Sequence, residues 1–114
     1  MTTETVETDI CVIGAGSGGL SVAAGASQMG ARVVLIERGK MGGDCLNYGC
    51  VPSKALIAAG HKAEELRTAE VFGIKPCVPE VDFLKVREHV HAVIGAIEPN
   101  DSVERFEGLG VHVI

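Results

Sequence analysis

The chain has no run of lysine and arginine, no long apolar segment and few cysteines, and each lack removes a class of function. Ten basic residues against fifteen acidic give a net charge of -5. With no cluster of cations to neutralise a row of phosphates, neither nucleic acid nor an anionic membrane is an expected partner. The opening MTTETVETD is polar and acidic, without the basic region that precedes a signal sequence, and no window reaches the roughly 20 apolar residues of a membrane span. These features read as a cytoplasmic protein. Four cysteines in 114 residues are too sparse for a secreted disulfide scaffold. Cys11 and Cys77 stand alone, and Cys11, inside an apolar strand pattern, is expected to be a buried small hydrophobe. His61, His89, His91 and His112 are scattered and expected to be surface or packing residues, so no metal site is expected.

What is present is 46% hydrophobic, enough for one domain with one core. Residues 9–14, DICVIG, form a nearly continuous apolar run, the pattern of a strand buried on both faces of a parallel sheet. GAGSGG follows, with Gly14, Gly16 and Gly19 at G-x-G-x-x-G spacing, and residues 20–29 continue with small and apolar side chains suited to a helix packed on a sheet. The three glycines serve a tight turn, a close backbone approach to a pyrophosphate and a close helix-to-strand contact. The pyrophosphate would rest on the helix N-terminus, where free N–H groups and the macrodipole favour negative charge. A glycine loop alone is weak evidence, but the rest of the unit follows: Gly30 closes the helix, and ARVVLIE, residues 31–37, gives a second strand ending in an acid. Glu37 stands where a carboxylate accepts hydrogen bonds from an adenosine ribose. Composition does not separate FAD from NAD here.

GGDCLNYGCVPSK, residues 42–54, then places Cys45 and Cys50 five positions apart. A structural disulfide between them would close a short loop of modest stabilising effect and would be reduced in cytosol. A zinc site lacks the C-x2-C spacing and companion ligands. A catalytic dithiol is the third option. On a regular helix residues five apart have Cα atoms about 8 to 9 Å apart, beyond disulfide reach. A bridged pair therefore requires an interruption, which Asn47, Gly49 and Pro52 permit or impose, with the helix resuming over residues 53–66.

With the upstream GAGSGG and Glu37, this stretch resembles the flavoprotein disulfide reductases, the class I FAD-dependent pyridine nucleotide-disulfide oxidoreductase family that includes dihydrolipoamide dehydrogenase, mercuric reductase and glutathione reductase. The P-S-K ending and following ALI are more similar to the first two. The resemblance implies an α/β fold, a Rossmann-like FAD-binding domain of three layers on a parallel sheet, truncated, with residues 1–114 its N-terminal part and the NAD(P)-binding and dimerisation domains absent. It implies FAD as cofactor, with Gly14, Gly16, Gly19 and Glu37 holding the ADP half and Arg38 and Gly43 as further contacts, and NAD(P)H as electron source. It implies that Cys45 is the interchange thiol, Cys50 the thiol beside the flavin, and Lys54 a cation near flavin N5 that helps keep a thiolate charged. A small or protein-bound disulfide, the lipoyl group first, is the implied substrate, and the whole protein is implied to be a homodimer whose partner subunit supplies a His-Glu pair. A mercuric-reductase-like enzyme and a non-catalytic dinucleotide-binding redox sensor are the alternatives. Two residues depart from the family pattern. Asp44 replaces the usual Thr, and an ionised acid there is expected to raise the Cys45 pKa. Tyr48 stands where Val is common.

Beyond the dithiol, residues 61–72 continue a helix and FGIKPCVPEVD is expected to be a loop. Leu84, Val90, Val93, Ile94 and Ile97 recur at helical spacing, predicting an amphipathic helix over 82–98 that faces the core. Pro99 interrupts it, NDSVERF makes a further turn or two, and VHVI is a third strand; in a truncated domain the apolar sheet edge and the FAD pocket are expected to be partly uncovered, predicting weak stability or self-association.

Overall fold

The computed structural model describes all residues, 1–114. β1 (Ile10–Ile13), α1 (Ser17–Gln28) and β2 (Val33–Ile36) form the first β–α–β unit. β3 (Val111–Val113) adds on the far side of β2, giving a three-stranded sheet of order β1-β2-β3. Both pairings are parallel, with Ile10 opposite Val33 and Val33 opposite Val111. This is one half of a doubly wound nucleotide-binding sheet, whose ligands gather at the carboxyl ends of the strands. Asp9 and Arg32 pin the entry edge: their side chains meet at 2.9 Å, and the guanidinium lowers the Asp9 pKa to about 2.

Between β2 and β3 the chain makes one long excursion. It comprises α2 (Gly43–Asn47), α3 (Cys50–Arg67), a 3₁₀ turn at Ala69–Phe72, α4 (Phe83–Ile97), a second 3₁₀ turn at Glu98–Asp101 and α5 (Val103–Gly108). Asp82 starts α4 by accepting hydrogen bonds from the N–H groups of Leu84 and Lys85, and Ser102 starts α5 by accepting one from the Arg105 N–H. Each side-chain oxygen satisfies donors that a helix N-terminus leaves free.

The core lies between one face of the sheet and α1 with α5. Ala15, Leu20, Ala23, Val33, Leu35, Phe106 and Val111 form it, and Leu35 and Phe106 are all but inaccessible. No helix covers the other face, where only Val34 of the central strand, flanked by β1 and β3, is buried. Cys11 and Ile13 lie there, and both are exposed. The expectation of a β1 strand buried on both faces, with Cys11 as a buried hydrophobe, therefore fails: in a strand alternate side chains take opposite faces, and no helix packs on the one Cys11 takes. The parallel Rossmann-like sheet and its glycine-rich turn are as the sequence implies.

α3 and α4 pack against each other as an antiparallel pair that stands away from the sheet. Leu56 and Leu66 of α3 share a groove with Phe83 and Val86 of α4. The predicted amphipathic helix thus exists, but its apolar face meets α3 instead of the sheet core. Val86, Val90, Val93, Ile94 and Ile97 are half-buried, and Leu84 is exposed. The pair makes the molecule long, 67 × 32 × 18 Å. No helix is long and apolar enough to cross a membrane.

Candidate dinucleotide and dithiol site

The turn from β1 into α1 is built from Gly14, Gly16 and Gly19. A Cβ on Gly19 would stand 1.9 Å from the Gly14 carbonyl oxygen, so only glycine lets α1 press this closely on the strand end. A Cβ on Gly16 would meet no atom of the protein within 4 Å. The space in front of Gly16 is open, and α1 begins there with no side-chain cap and no acid in its first turn. Free N–H groups facing an open space suit an anion.

Glu37 closes the other side. Its Oε2 accepts a hydrogen bond from the Ala15 N–H and its Oε1 one from the Gly39 N–H, both at 2.7 Å. These bonds hold its pKa below the usual carboxylate range, with a smaller contribution from the Arg38 charge. Glu37 is therefore ionised and fixed beside the glycine turn. Arg38 itself is exposed.

The dithiol segment is bound directly to that turn. The Gly42 N–H donates to the Ala15 carbonyl at 2.9 Å, and a Cβ on Gly43 would lie 2.7 Å from the Gly16 Cα. Gly43 also has a φ of +59°, in the left-handed region that side chains disfavour. The backbone of α2 thus rests on the backbone of the glycine turn.

Cys45 sits in the middle of α2 and Cys50 opens α3. The interruption between them is Tyr48 and Gly49, with Gly49 at φ -120°, ψ -110°. A Cβ on Gly49 would stand 3.0 Å from the Asp44 carbonyl oxygen. Asn47 ties α2 down, its Nδ2 donating to the carbonyls of Gly43 and Met41. An interruption is present as predicted, but α3 begins at Cys50, three residues before the expected restart. Pro52 lies within its first turn, where a missing N–H costs nothing.

Both thiols are free, and the Cys50 side chain reaches that of Cys45. This contact, followed by burial and the Cys50 charge, pushes the Cys45 pKa up, while the Lys54 charge draws it down. The pKa rises as expected, but Asp44 is not the cause: it is exposed and exerts no resolved effect on the thiol. Lys54 lies one helical turn past Cys50, and its charge reaches Cys45.

Cys45 faces a cavity of about 420 Å³ shared with Ser17 and Leu20 of α1, Val51 of α3, and Arg105 and Phe106 of α5. Sequence reasoning missed Arg105. Its distance along the chain hid it, since no local pattern reports a contact made only when β3 closes the sheet. Cys77 stays exposed in the loop before α4, and no three His, Cys, Asp or Glu side chains are grouped to hold a metal ion.

A strand-ended glycine turn, an acid fixed at the next strand end and a dithiol resting on that turn define a dinucleotide-binding fold equipped for thiol redox chemistry. The profile of the pyridine nucleotide-disulphide oxidoreductase family matches residues 8–108, and the chain belongs to that family. It is similar to dihydrolipoyl dehydrogenases: 46% identical to that of Geobacillus stearothermophilus over 89 residues, 78% of this chain and 19% of the relative. It is 46% identical to one from Bacillus subtilis (strain 168) over 92 residues, covering 81% and 20%. To that of Halobacterium salinarum it is 44% identical over 87 residues, covering 76% and 18%. The chain therefore spans about a fifth of the length of the curated relatives it matches.

Proposed function

We propose that this chain forms the flavin- and dithiol-bearing portion of an FAD-dependent disulfide oxidoreductase, most like dihydrolipoyl dehydrogenase. The observation that carries the reading is the backbone contact of Gly42 and Gly43 with Ala15 and Gly16, which joins the dinucleotide turn to the dithiol. The residues present fit FAD. Gly16 and the α1 N-terminus leave room and donors for the pyrophosphate, and Glu37 is ionised where a ribose would need an acceptor. Bound there, FAD supplies a two-electron carrier between a nicotinamide and the dithiol.

The chain's own part is thiol–disulfide exchange. The Cys45 thiolate attacks one sulfur of a substrate disulfide, forming a mixed disulfide and releasing the other sulfur as a thiolate that takes a proton. The Cys50 thiolate then attacks the Cys45 sulfur. The Cys45–Cys50 bond forms, the second substrate thiolate leaves, and the substrate has gained the two electrons the pair has lost. Dithiol oxidation is the same path reversed. Because Cys45 holds its proton to higher pH than an ordinary thiol, the first step needs a proton acceptor. No histidine lines the Cys45 cavity. This supports an acid–base group supplied from elsewhere, which the proposal assigns to the partner subunit of a homodimer. NAD(P)H as electron partner is supported by the name of the family and a lipoyl-type disulfide as substrate by the names of the relatives, and a cytoplasmic setting completes the reading.

The test is spectroscopic. The FAD-loaded protein is expected to be yellow and to develop a long-wavelength absorption band when two electrons open the Cys45–Cys50 disulfide; Cys45→Ser, which has no disulfide to open, should show the band before any reduction, and Cys50→Ser should show none. If FAD binds and no band develops, the protein is a redox-sensing dinucleotide module and not a reductase.

A further inference from the structure

We propose that Asn47 is the positioning residue of the thiol pair: its side-chain amide holds α2 closed, keeps Cys45 and Cys50 within reach of each other, and so sets how readily their disulfide forms. This rests on the disulfide-exchange reading above and adds to it the residue that poises the pair.

α2 is only five residues long, Gly43–Asn47, far below the roughly 12 to 15 residues at which a helix is even marginally stable alone in water. It starts at Gly42 with no side-chain cap, and the Leu46 N–H reaches the Gly42 carbonyl only at 3.5 Å. Such a helix needs ties from outside its own backbone, and two of its residues provide them. Leu46 is buried against Gly42, where a Cβ would stand 2.4 Å from a Leu46 methyl carbon. Asn47 Nδ2 donates to the Gly43 carbonyl at 2.8 Å, one turn back, and to the Met41 carbonyl at 3.2 Å, outside the helix. Both partners are carbonyl oxygens, so the amide nitrogen has to face them, and both of its N–H protons are used. Asn47 is the only side chain that hydrogen-bonds to the α2 backbone. Met41 and Gly43 flank Gly42, whose N–H is held by the Ala15 carbonyl, so the same amide fixes α2 to the glycine turn.

Residues two apart on a helix do not face each other, so Asn47 acts on Cys45 through the backbone and not by touching the thiol. Just past Asn47 the chain turns back on α2. Gly49, at φ -120° and ψ -110°, comes so close that a Cβ there would lie 3.0 Å from the Asp44 carbonyl oxygen and 3.5 Å from the Cys45 Cα. That return opens α3 at Cys50 and brings its side chain onto the Cys45 thiol. Without the Asn47 ties α2 can unwind from its last residue, and the return goes with it. The closeness of two thiols in one chain is an effective concentration, and the equilibrium constant for closing their disulfide rises in proportion to it.

Equilibrium with glutathione reads this poise directly. Cys45 and Cys50 give two protons and two electrons to glutathione disulfide, so that one internal S–S bond forms, one breaks, and two glutathione thiols are released. The protein, carrying Cys11→Ser and Cys77→Ser to remove the lone thiols, is equilibrated over a range of glutathione ratios and quenched with acid. The internal disulfide is then scored by mass, with circular dichroism to confirm that each variant is folded. Asn47→Ala and Asn47→Asp, which remove the donors, are expected to lower the equilibrium constant for disulfide formation about tenfold, a rise in potential of about 30 mV for a two-electron couple. Asn47→Gln, which can still donate, should keep part of the wild-type value, and with Asn47→Ala it carries the comparison if Asn47→Asp does not fold. Ser27→Ala removes a hydrogen bond to the Leu109 carbonyl at the opposite end of α1 from the glycine turn. It should lower stability in urea without moving the glutathione equilibrium. Folded Asn47 variants with an unchanged equilibrium, or a shift in Ser27→Ala as large as in Asn47→Ala, overturn the role of Asn47 and leave the exchange reading standing. Glutathione adducts with no internal disulfide at any ratio would overturn the exchange reading itself, and the role of Asn47 with it.

Discussion

Cys45 is the thiol on which the proposed exchange turns, and its environment sets when it could act. Its pKa is raised first by the Cys50 side chain, so its reactive thiolate accumulates only above the ordinary thiol range, and Lys54 moderates the rise. In the reduced chain, the rate of Cys45 alkylation by iodoacetamide is expected to climb with pH and level off above that range. Cys50→Ala should shift the midpoint down and Lys54→Met should shift it up, both read by mass-resolved labelling. A midpoint unmoved by Cys50→Ala would remove the thiol–thiol contact as the cause. At this scale the sequence was legible where chemistry demands a spacing: the pair itself, Lys54 one turn on, and Glu37 at a strand end. Asp44 was misread because adjacency in sequence is not adjacency on a helix, where residues i and i+1 point apart.

The elements are held in place by backbone contacts that leave no room for a side chain. α1 meets β1 through Gly19, and the opening of α2 meets the glycine turn through Gly43. Gly19→Ala is expected to destabilise the fold by about 1 to 3 kcal/mol or more, because the added carbon must displace backbone. Gly25→Ala lies in the same helix, where a Cβ meets nothing within 4 Å. It should be neutral or stabilising by up to about 1 kcal/mol through helix propensity. Urea denaturation of the two variants compares them directly, and equal effects would show that close approach at Gly19 does not matter. The glycine spacing announced this packing. Hydrophobic periodicity announced the apolar face of α4 but not its partner, because a stripe at helical spacing says that something covers it and not what. Cys11 was misjudged for the same reason: an apolar strand pattern is silent on whether both faces are covered.

The whole molecule is a small sheet domain with a long helical hairpin attached. Its radius of gyration is 20.3 Å, against about 13 Å for a compact chain of this length. Val71, Phe72, Val78 and Phe83 near the hairpin tip, and Ile13 on the open sheet face, leave large side chains exposed. Small-angle scattering at high dilution is expected to give a radius near 20 Å, rising with concentration as apolar surfaces associate. A value near 13 Å would mean that the hairpin folds back over the sheet. The sequence indicated an uncovered sheet edge and cofactor pocket, not an apolar hairpin tip or an open sheet face. It could not indicate elongation, which depends on α4 choosing α3 over the core.

The connection from β2 to β3, residues 37–110, has one further consequence. It joins neighbouring parallel strands by a path many times longer than the minimum crossover of about 10 to 12 residues. Loop-closure entropy grows only logarithmically, about 0.6 kcal/mol for each doubling of length, so insertions or deletions near Gly73 at the hairpin tip are tolerated at almost no thermodynamic cost. At the root of the same loop, Gly42, Gly43 and Gly49 are locked against neighbouring backbone and side chains and can accept no change in length. Reach and reactivity are thus separable within one segment: the hairpin can lengthen or shorten to suit whatever it meets without disturbing the sulfur pair at its base.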